Sequence, residues 1–427
     1  MPDYKKQKRR KALPKPKKNK AKNIKSNDTD IIMTPHKKSK LQKTQNDMKL
    51  VRGRKEEKKK RAKRWVAVAL CLVLAVTLLN TILPAGIIRT VSNSLALIGT
   101  GNYPVSLESS DTLSVESMGS YYYILSDTSL SAYSNSGKKL YSYVHGFEKP
   151  ILKCSKWGAM LFGQSENTVL IFDLKKLKKT IETKKAIING NISDSGGYAV
   201  ITQSDNYASA VTVYNRYGKE LYEWYSAEDT VNSVTIAPNN KKIAVSSFKV
   251  VNGEYLSKVS VLNFESATPE YTEEYKGGLV YNLSSSASGR FTVVTSNGID
   301  FIKWRKYSKT QYKNDYNITL LREASHGMVA VFSRESNRTD NKIAVFSKTG
   351  KIKFQFDFKG IISDIRFFGG HIYCMSDTDV FLIDETGKTV KKTSCGFGGV
   401  RLVVTGSNTV AVVTDNKIER IKLVEKE

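Results

Sequence analysis

The sequence predicts an all-β fold, an eight-bladed β-propeller, standing behind one transmembrane helix and a disordered basic tail. Three observations predict it. A strand-turn-lysine motif recurs along the chain at spacings of 39, 42, 48, 42, 42 and 37 residues. A second motif, a Gly or Asn turn followed by an apolar strand, recurs eight times. The last repeat has only three strands, so a fourth must come from elsewhere in the chain.

Residues 1–64 come first. They carry 26 Lys+Arg against 6 Asp+Glu, a net +20, while the rest of the chain has 42 against 34, a net +8. The basic character therefore belongs to the tail, and the whole-chain charge of +28 is no argument for nucleic-acid binding by the folded part. The tail has few apolar residues and no period, so it cannot bury enough surface to offset chain entropy and is expected to be disordered. Its lysines fit a cytoplasmic topology signal and adhesion to anionic lipid headgroups. Nucleic acid is the weakest partner reading, because Tyr4 is the one aromatic residue there that could stack on a base.

Trp65 to Leu83 is a run of 19 residues without a charge, and Ile87 and Ile88 extend it beyond Pro84. At about 1.5 Å per residue it reaches roughly 28 Å, close to the roughly 30 Å of a bilayer core. The span 65–88 is thus expected to be an uncleaved signal-anchor helix in contact with the lipid bilayer. Arg52, Arg54, Lys55, Lys58, Lys59 and Lys60 crowd its N-terminal edge, and Arg61, Lys63 and Arg64 continue the run. The bias predicts a cytoplasmic N-terminus and an extracellular C-terminal domain in a single-pass protein of the cell membrane. A cleaved signal peptide is the competing reading, but its apolar region would be shorter and nearer the start. Pro84, Gly86, Gly99, Gly101 and Pro104 then punctuate a connector, of which 89–102 forms a stalk.

Residues 103–427 hold the repeats. The strand-turn-lysine motif reads AYSNSGK at Ala132–Lys138, VYNRYGK at Val213–Lys219, VFSKTGK at Val345–Lys351 and LIDETGK at Leu382–Lys388. The second motif begins at Gly119, Gly158, Gly197, Asn240, Gly289, Gly327, Gly370 and Asn408. The strands are short, alternating and rich in Val, Ile, Tyr, Phe and Thr. Four such strands with three turns fill about 40 residues, one propeller blade, and a blade must pack against neighbours to bury both faces. Eight blades are expected, with seven as the alternative. The fourth strand of the last repeat is expected near Tyr103–Leu107, which would close the ring. The 48-residue spacing predicts an insertion near Lys249–Lys258, read as a longer hairpin loop.

These repeats resemble the quinoprotein-like and WD40-like propeller group, without the Trp-Asp dipeptide of WD40 repeats. The layout resembles a family of single-pass membrane proteins of clostridial (Firmicutes) bacteria, of unknown function, with a propeller ectodomain. The likeness implies architecture and leaves activity open.

No residue is nominated as catalytic, cofactor-binding or metal-ligating. His36, His145, His326 and His371 are scattered without metal spacing. Asp377, Asp379 and Asp384 read as turn residues, and Trp224 as an aromatic packed between blades. Outside the span lie Cys154, Cys374 and Cys395, an odd number that implies no complete disulfide framework, although one Cys374–Cys395 bridge is compatible with the count. The expected role is a non-catalytic binding scaffold for a protein, peptide or cell-wall ligand, with no cofactor. A surface hydrolase or lyase acting on the propeller axis is the alternative.

Overall fold

The computed structural model describes residues 63, 65–68, 93–107, 111–286, 289–296, 298–324, 327–334 and 336–425. The chain divides into two compact units, Met1–Ala85 and Gly86–Glu427. In the first, Lys63 and residues 65–68 are helical. The basic tail and most of the expected span 65–88 lie outside the described residues. Among the described residues no helix is long and apolar enough to cross a membrane.

The second unit is the ring. It has eight sheets of four strands each, so the expected all-β eight-bladed propeller is what forms, and seven is excluded. Blade 1 occupies 112–144, with strands Thr112–Ser117, Tyr121–Ser126, Ser129–Ser134 and Lys139–Val144 paired in sequence order. Blades 2 to 7 repeat the pattern at 150–182, 187–226, 230–276, 282–313, 317–359 and 364–394. Blade 8 takes three strands from the C-terminus, Arg401–Gly406, Thr409–Val413 and Lys417–Lys422. Its outermost strand is Val105–Ser106, paired antiparallel with Lys417–Lys422, as the missing fourth strand required.

Why the blades form is visible in strand Tyr121–Ser126, YYYILS, buried at all six positions. Successive side chains of a strand point to opposite faces. Tyr121, Tyr123 and Leu125 meet Leu152, Leu161 and Phe172 of blade 2. Tyr122 and Ile124 turn the other way and meet Val403, Val413 and Ile418 of blade 8. Eight apolar clusters of this kind fill the gaps between neighbouring blades. The cluster at the seam also takes Tyr103, Val105 and Leu107, so packing and hydrogen bonding close the ring together. The turn motif follows the same logic. Ser134, Asn215, Ser347 and Asp384 each accept an amide hydrogen with their side-chain oxygen at the lysine position, and Gly137, Gly218, Gly350 and Gly387 supply the positive φ.

The expected insertion in blade 4 is present, but it is not a longer loop. Strands Lys242–Val251 and Glu254–Asn263 are ten residues each and are joined by Asn252-Gly253 alone, both at positive φ. Asn-Gly with two left-handed residues is the tight turn that matches strand twist, so the added residues lengthen the ladder instead of the loop. Blade 6 has a second long hairpin, Gly327–Arg334 with Asn337–Ser347, that the repeat spacing did not signal.

The stalk lies on blade 1. Residues 93–97 make a helical turn, and Leu97 joins the cluster between blades 1 and 2. Lys138 Nζ donates to the carbonyls of Ala96 at 3.3 Å and Ile98 at 2.7 Å, a cation capping a helix C-terminus. A Cβ at Gly101 would stand 2.1 Å from the Lys138 nitrogen, so only glycine lets the two backbones approach this closely.

Candidate functional site

In every blade the strands alternate in direction. The first strand lines the axis, and all eight first strands end around one axial cavity of about 440 Å³. The connections between first and second strands, and between third and fourth, therefore share one end of the ring. That end also receives the stalk, because Lys138 lies in such a connection, and it is called the stalk face below. The remaining connections, with both long hairpins, form the distal face.

The charged groups of the axial cavity divide into committed and open. Asp364 is 0 % exposed. It accepts from Arg322 Nε at 2.8 Å and from the Leu402 amide at 2.9 Å, and pairs with Arg366 at 3.3 Å. Arg366 Nε also donates to the Leu402 carbonyl at 2.8 Å, and its terminal nitrogen reaches the Val115 carbonyl at 3.4 Å. Burial pulls the Arg366 guanidinium below its ordinary range, and Asp364 opposes the shift. These bonds tie blades 6, 7, 8 and 1. Asn189 donates to the Asn232 carbonyl and Asn232 to the Val280 carbonyl, which ties blades 3 and 4 to the connection leading into blade 5. Lys156 pairs with Asp194 at 3.3 Å across blades 2 and 3.

Glu116, Lys153 and Glu323 face the same cavity. Burial lowers the Lys153 ammonium, with Glu116 pulling the other way. Glu323 is exposed in the cavity, yet the walls around it desolvate its carboxyl and hold it above the usual carboxylate range, against a hydrogen bond from Ser284 that lowers it. Cys154 also lines the cavity, and burial pushes its thiol well up. Among the described residues no group of three His, Cys, Asp or Glu could hold a metal ion.

The two faces differ in charge. The connections of the stalk face carry twelve Lys and Arg against six Asp and Glu. Those of the distal face carry, among the described residues, three Lys against ten Asp and Glu. Strong basic turns are Lys175-Lys176, Arg216 with Lys219, and Arg305-Lys306, all exposed. Both faces expose apolar side chains. On the distal face Val250 (60 % exposed), Val251 and Tyr255 crown the blade 4 hairpin, and Phe397 (85 % exposed) stands on the loop between blades 7 and 8. Lys249 in that hairpin is held by Glu228 at 3.5 Å and Asp229 at 3.7 Å.

Residues weighed in the sequence fall as follows. Asp384 caps its turn through Thr386 and Lys388 amides, Asp379 pairs with Lys392 at 3.2 Å, and Asp377 accepts from Ser363. His371 contacts the Gly369 carbonyl in a turn, and His145 Nδ1 accepts the Phe147 amide hydrogen. His36 and His326 lie outside the described residues. Trp224 packs between blades 3 and 4 and donates to the Ala267 carbonyl. Cys154, Cys374 and Cys395 are all free, so the Cys374–Cys395 bridge does not form. The Asp364 cluster and the Glu116, Lys153 and Glu323 group were not nominated from sequence, because their members come from different blades.

Fold and channel define a closed β-propeller. The chain belongs to a family described as "Family of unknown function (DUF5711)", whose pattern matches residues 102–423. No curated protein matches it. Among solved structures it is similar to BamB from Moraxella catarrhalis, at 13 % identity over 76 % of this chain and 99 % of that one, with a TM-score of 0.49. It is similar to apo AztD from Citrobacter koseri at 13 % identity, over 74 % and 90 % of the two chains, with a TM-score of 0.47. A eukaryotic initiation factor matches at 10 % identity, over 77 % and 89 %, with a TM-score of 0.50. At such identities the likeness is one of fold.

Proposed function

We propose that the protein is a membrane-anchored extracytoplasmic binding module that presents the distal face of its ring to a protein partner. One observation carries the reading. The blade 4 hairpin stands on that face and exposes Val250, Val251 and Tyr255 beside Glu228 and Asp229, which pair with its Lys249 and Lys258. Exposed apolar side chains beside charge are the composition of a docking surface, and the acidic excess of the distal loops fits a partner with basic residues near an apolar patch. In this reading Trp65 to Ile88 crosses the bilayer once, and the lysine-rich tail stays on the cytoplasmic face against anionic lipid headgroups.

The test is affinity capture of the full chain from its own membranes after crosslinking. The wild type should recover one stoichiometric protein, and Val250→Glu with Tyr255→Glu should lose it. Equal recovery by both chains would end the reading.

A surface hydrolase or lyase working on the axis is the second reading, favoured by Glu116 and Glu323 facing one cavity. It requires turnover of a cell-wall glycan that Glu323→Gln abolishes.

A further inference from the structure

We propose that the stalk face of the ring binds anionic lipid headgroups, so that the domain lies with its axial mouth against the bilayer that anchors it. The inference rests on the membrane-anchored reading above and adds a surface, an orientation and a ligand class.

The charge division between the faces is the first support. The six acids of the stalk face do not spread evenly. Glu265, Glu270, Asp384 and Glu385 sit in the outer turns of blades 4 and 7, while Asp173 is buried and Asp194 is paired with Lys156. The turns of blades 2, 3, 5 and 6 are left basic, with Lys175, Lys176, Arg216, Arg305 and Lys306 exposed. The second support is apolar and aromatic. Tyr217 is 68 % exposed on this face, with the Arg216 guanidinium 4.9 Å from its ring centroid. Leu95 and Ile98 are exposed on the stalk that lies there. Basic residues mixed with exposed Tyr, Leu and Ile suit the headgroup region, where charge meets phosphate and rings sit at the boundary.

Chain length is the third support. Ile88 ends the expected span and Asn93 opens the helical turn on the stalk face. The intervening chain can span only about 17 Å when fully extended, at about 3.3–3.6 Å per residue. Charge acts over about 8 Å at physiological salt, so the face must touch the surface for its lysines to count. The distal face, acidic in its loops, would be repelled by the same membrane. One orientation therefore satisfies both ends of the ring, and it leaves the blade 4 hairpin pointing away from lipid.

The test uses residues 86–427, a compact unit closed on itself at the seam. It is sedimented with phosphatidylcholine vesicles made with and without phosphatidylglycerol. Binding should require phosphatidylglycerol and weaken as salt rises. Combined Lys175→Glu, Arg216→Glu, Arg305→Glu and Lys306→Glu should weaken it on the order of tenfold or more, with an unchanged melting curve. Lys184→Glu with Lys185→Glu, on the distal face, should leave binding as it was. Equal binding to neutral vesicles would overturn the proposal. So would equal loss in the distal variant, or capture of a soluble anionic polymer with no binding to vesicles, which would make this a wall-polymer surface. The fragment lacks Trp65 to Ile88, so failure here leaves the anchor itself to be judged by membrane fractionation of the full chain.

Discussion

Val105 and Ile418 face each other across the seam of the ring, drawn from its two ends in sequence. Both also belong to the cluster that holds Tyr122, Ile124 and Val403, so one strand pair closes the sheet and seals the last inter-blade gap. Deleting residues 86–107 from the ring fragment should cost about 3 kcal/mol or more in apolar burial alone. It should also bare the edge of Lys417–Lys422 and promote dimers by edge pairing. Denaturant melts and size-exclusion chromatography check both effects. A truncated ring that stays monomeric and equally stable would mean the seam is idle.

Asp364 is the buried hub of the inner ring, and removing its charge leaves Arg322 and Arg366 without their carboxylate. Asp364→Ala should destabilise by about 3–5 kcal/mol. Replacing all three, as Asp364→Leu with Arg322→Met and Arg366→Met, should recover most of the loss, because no unpaired charge remains. Chemical denaturation of the two variants separates a pair that is costly to break from one that is stabilising in itself.

Gly101→Ala should unseat the stalk without melting the ring. The added carbon meets the backbone of Gly137 and Lys138, which cannot yield as a side chain tip would. Limited proteolysis of the fragment 86–427 should then cut in the stalk sooner than in the wild type, while near-ultraviolet dichroism of the tyrosine-rich blade 1 is retained.

Glu323 gives a pH dependence. Its carboxyl is raised by desolvation against the cavity walls, so the folded state holds its proton to higher pH than the unfolded chain does. The native state therefore binds more protons between the unfolded value of about 4.3 and the raised folded value, and stability falls as pH rises through that window. Glu323→Gln removes the penalty. It should raise the melting temperature near neutral pH and leave it unchanged well below pH of about 4. A variant that gains nothing at neutral pH would show that channel water solvates the carboxylate fully.

Much of the ring was legible because a blade repeats. Tyr214 and Ile383 end the third strand of their blade, Tyr133 and Phe346 stand one residue before its end, and the turn after each is fixed by a local cap and a glycine. The seam was legible for a negative reason, the missing strand of blade 8. The hairpin of blade 4 was legible as extra length, but its form depended on reading Asn252-Gly253 as a tight turn. The cavity was not legible. Glu116 and Glu323 come from blades 1 and 6, and Asp364 meets Leu402 of the next blade, so no local spacing links them. The charge of the two faces becomes readable only once strand direction assigns each turn to an end.

The most direct measurement of the central claim is photocrosslinking of the full chain in its own membranes, with a benzophenone residue placed at Val251 or at Lys176. Val251 should yield an adduct with one protein, and Lys176 an adduct with lipid. A lipid adduct at Val251, or the same protein captured from both positions, would contradict the account.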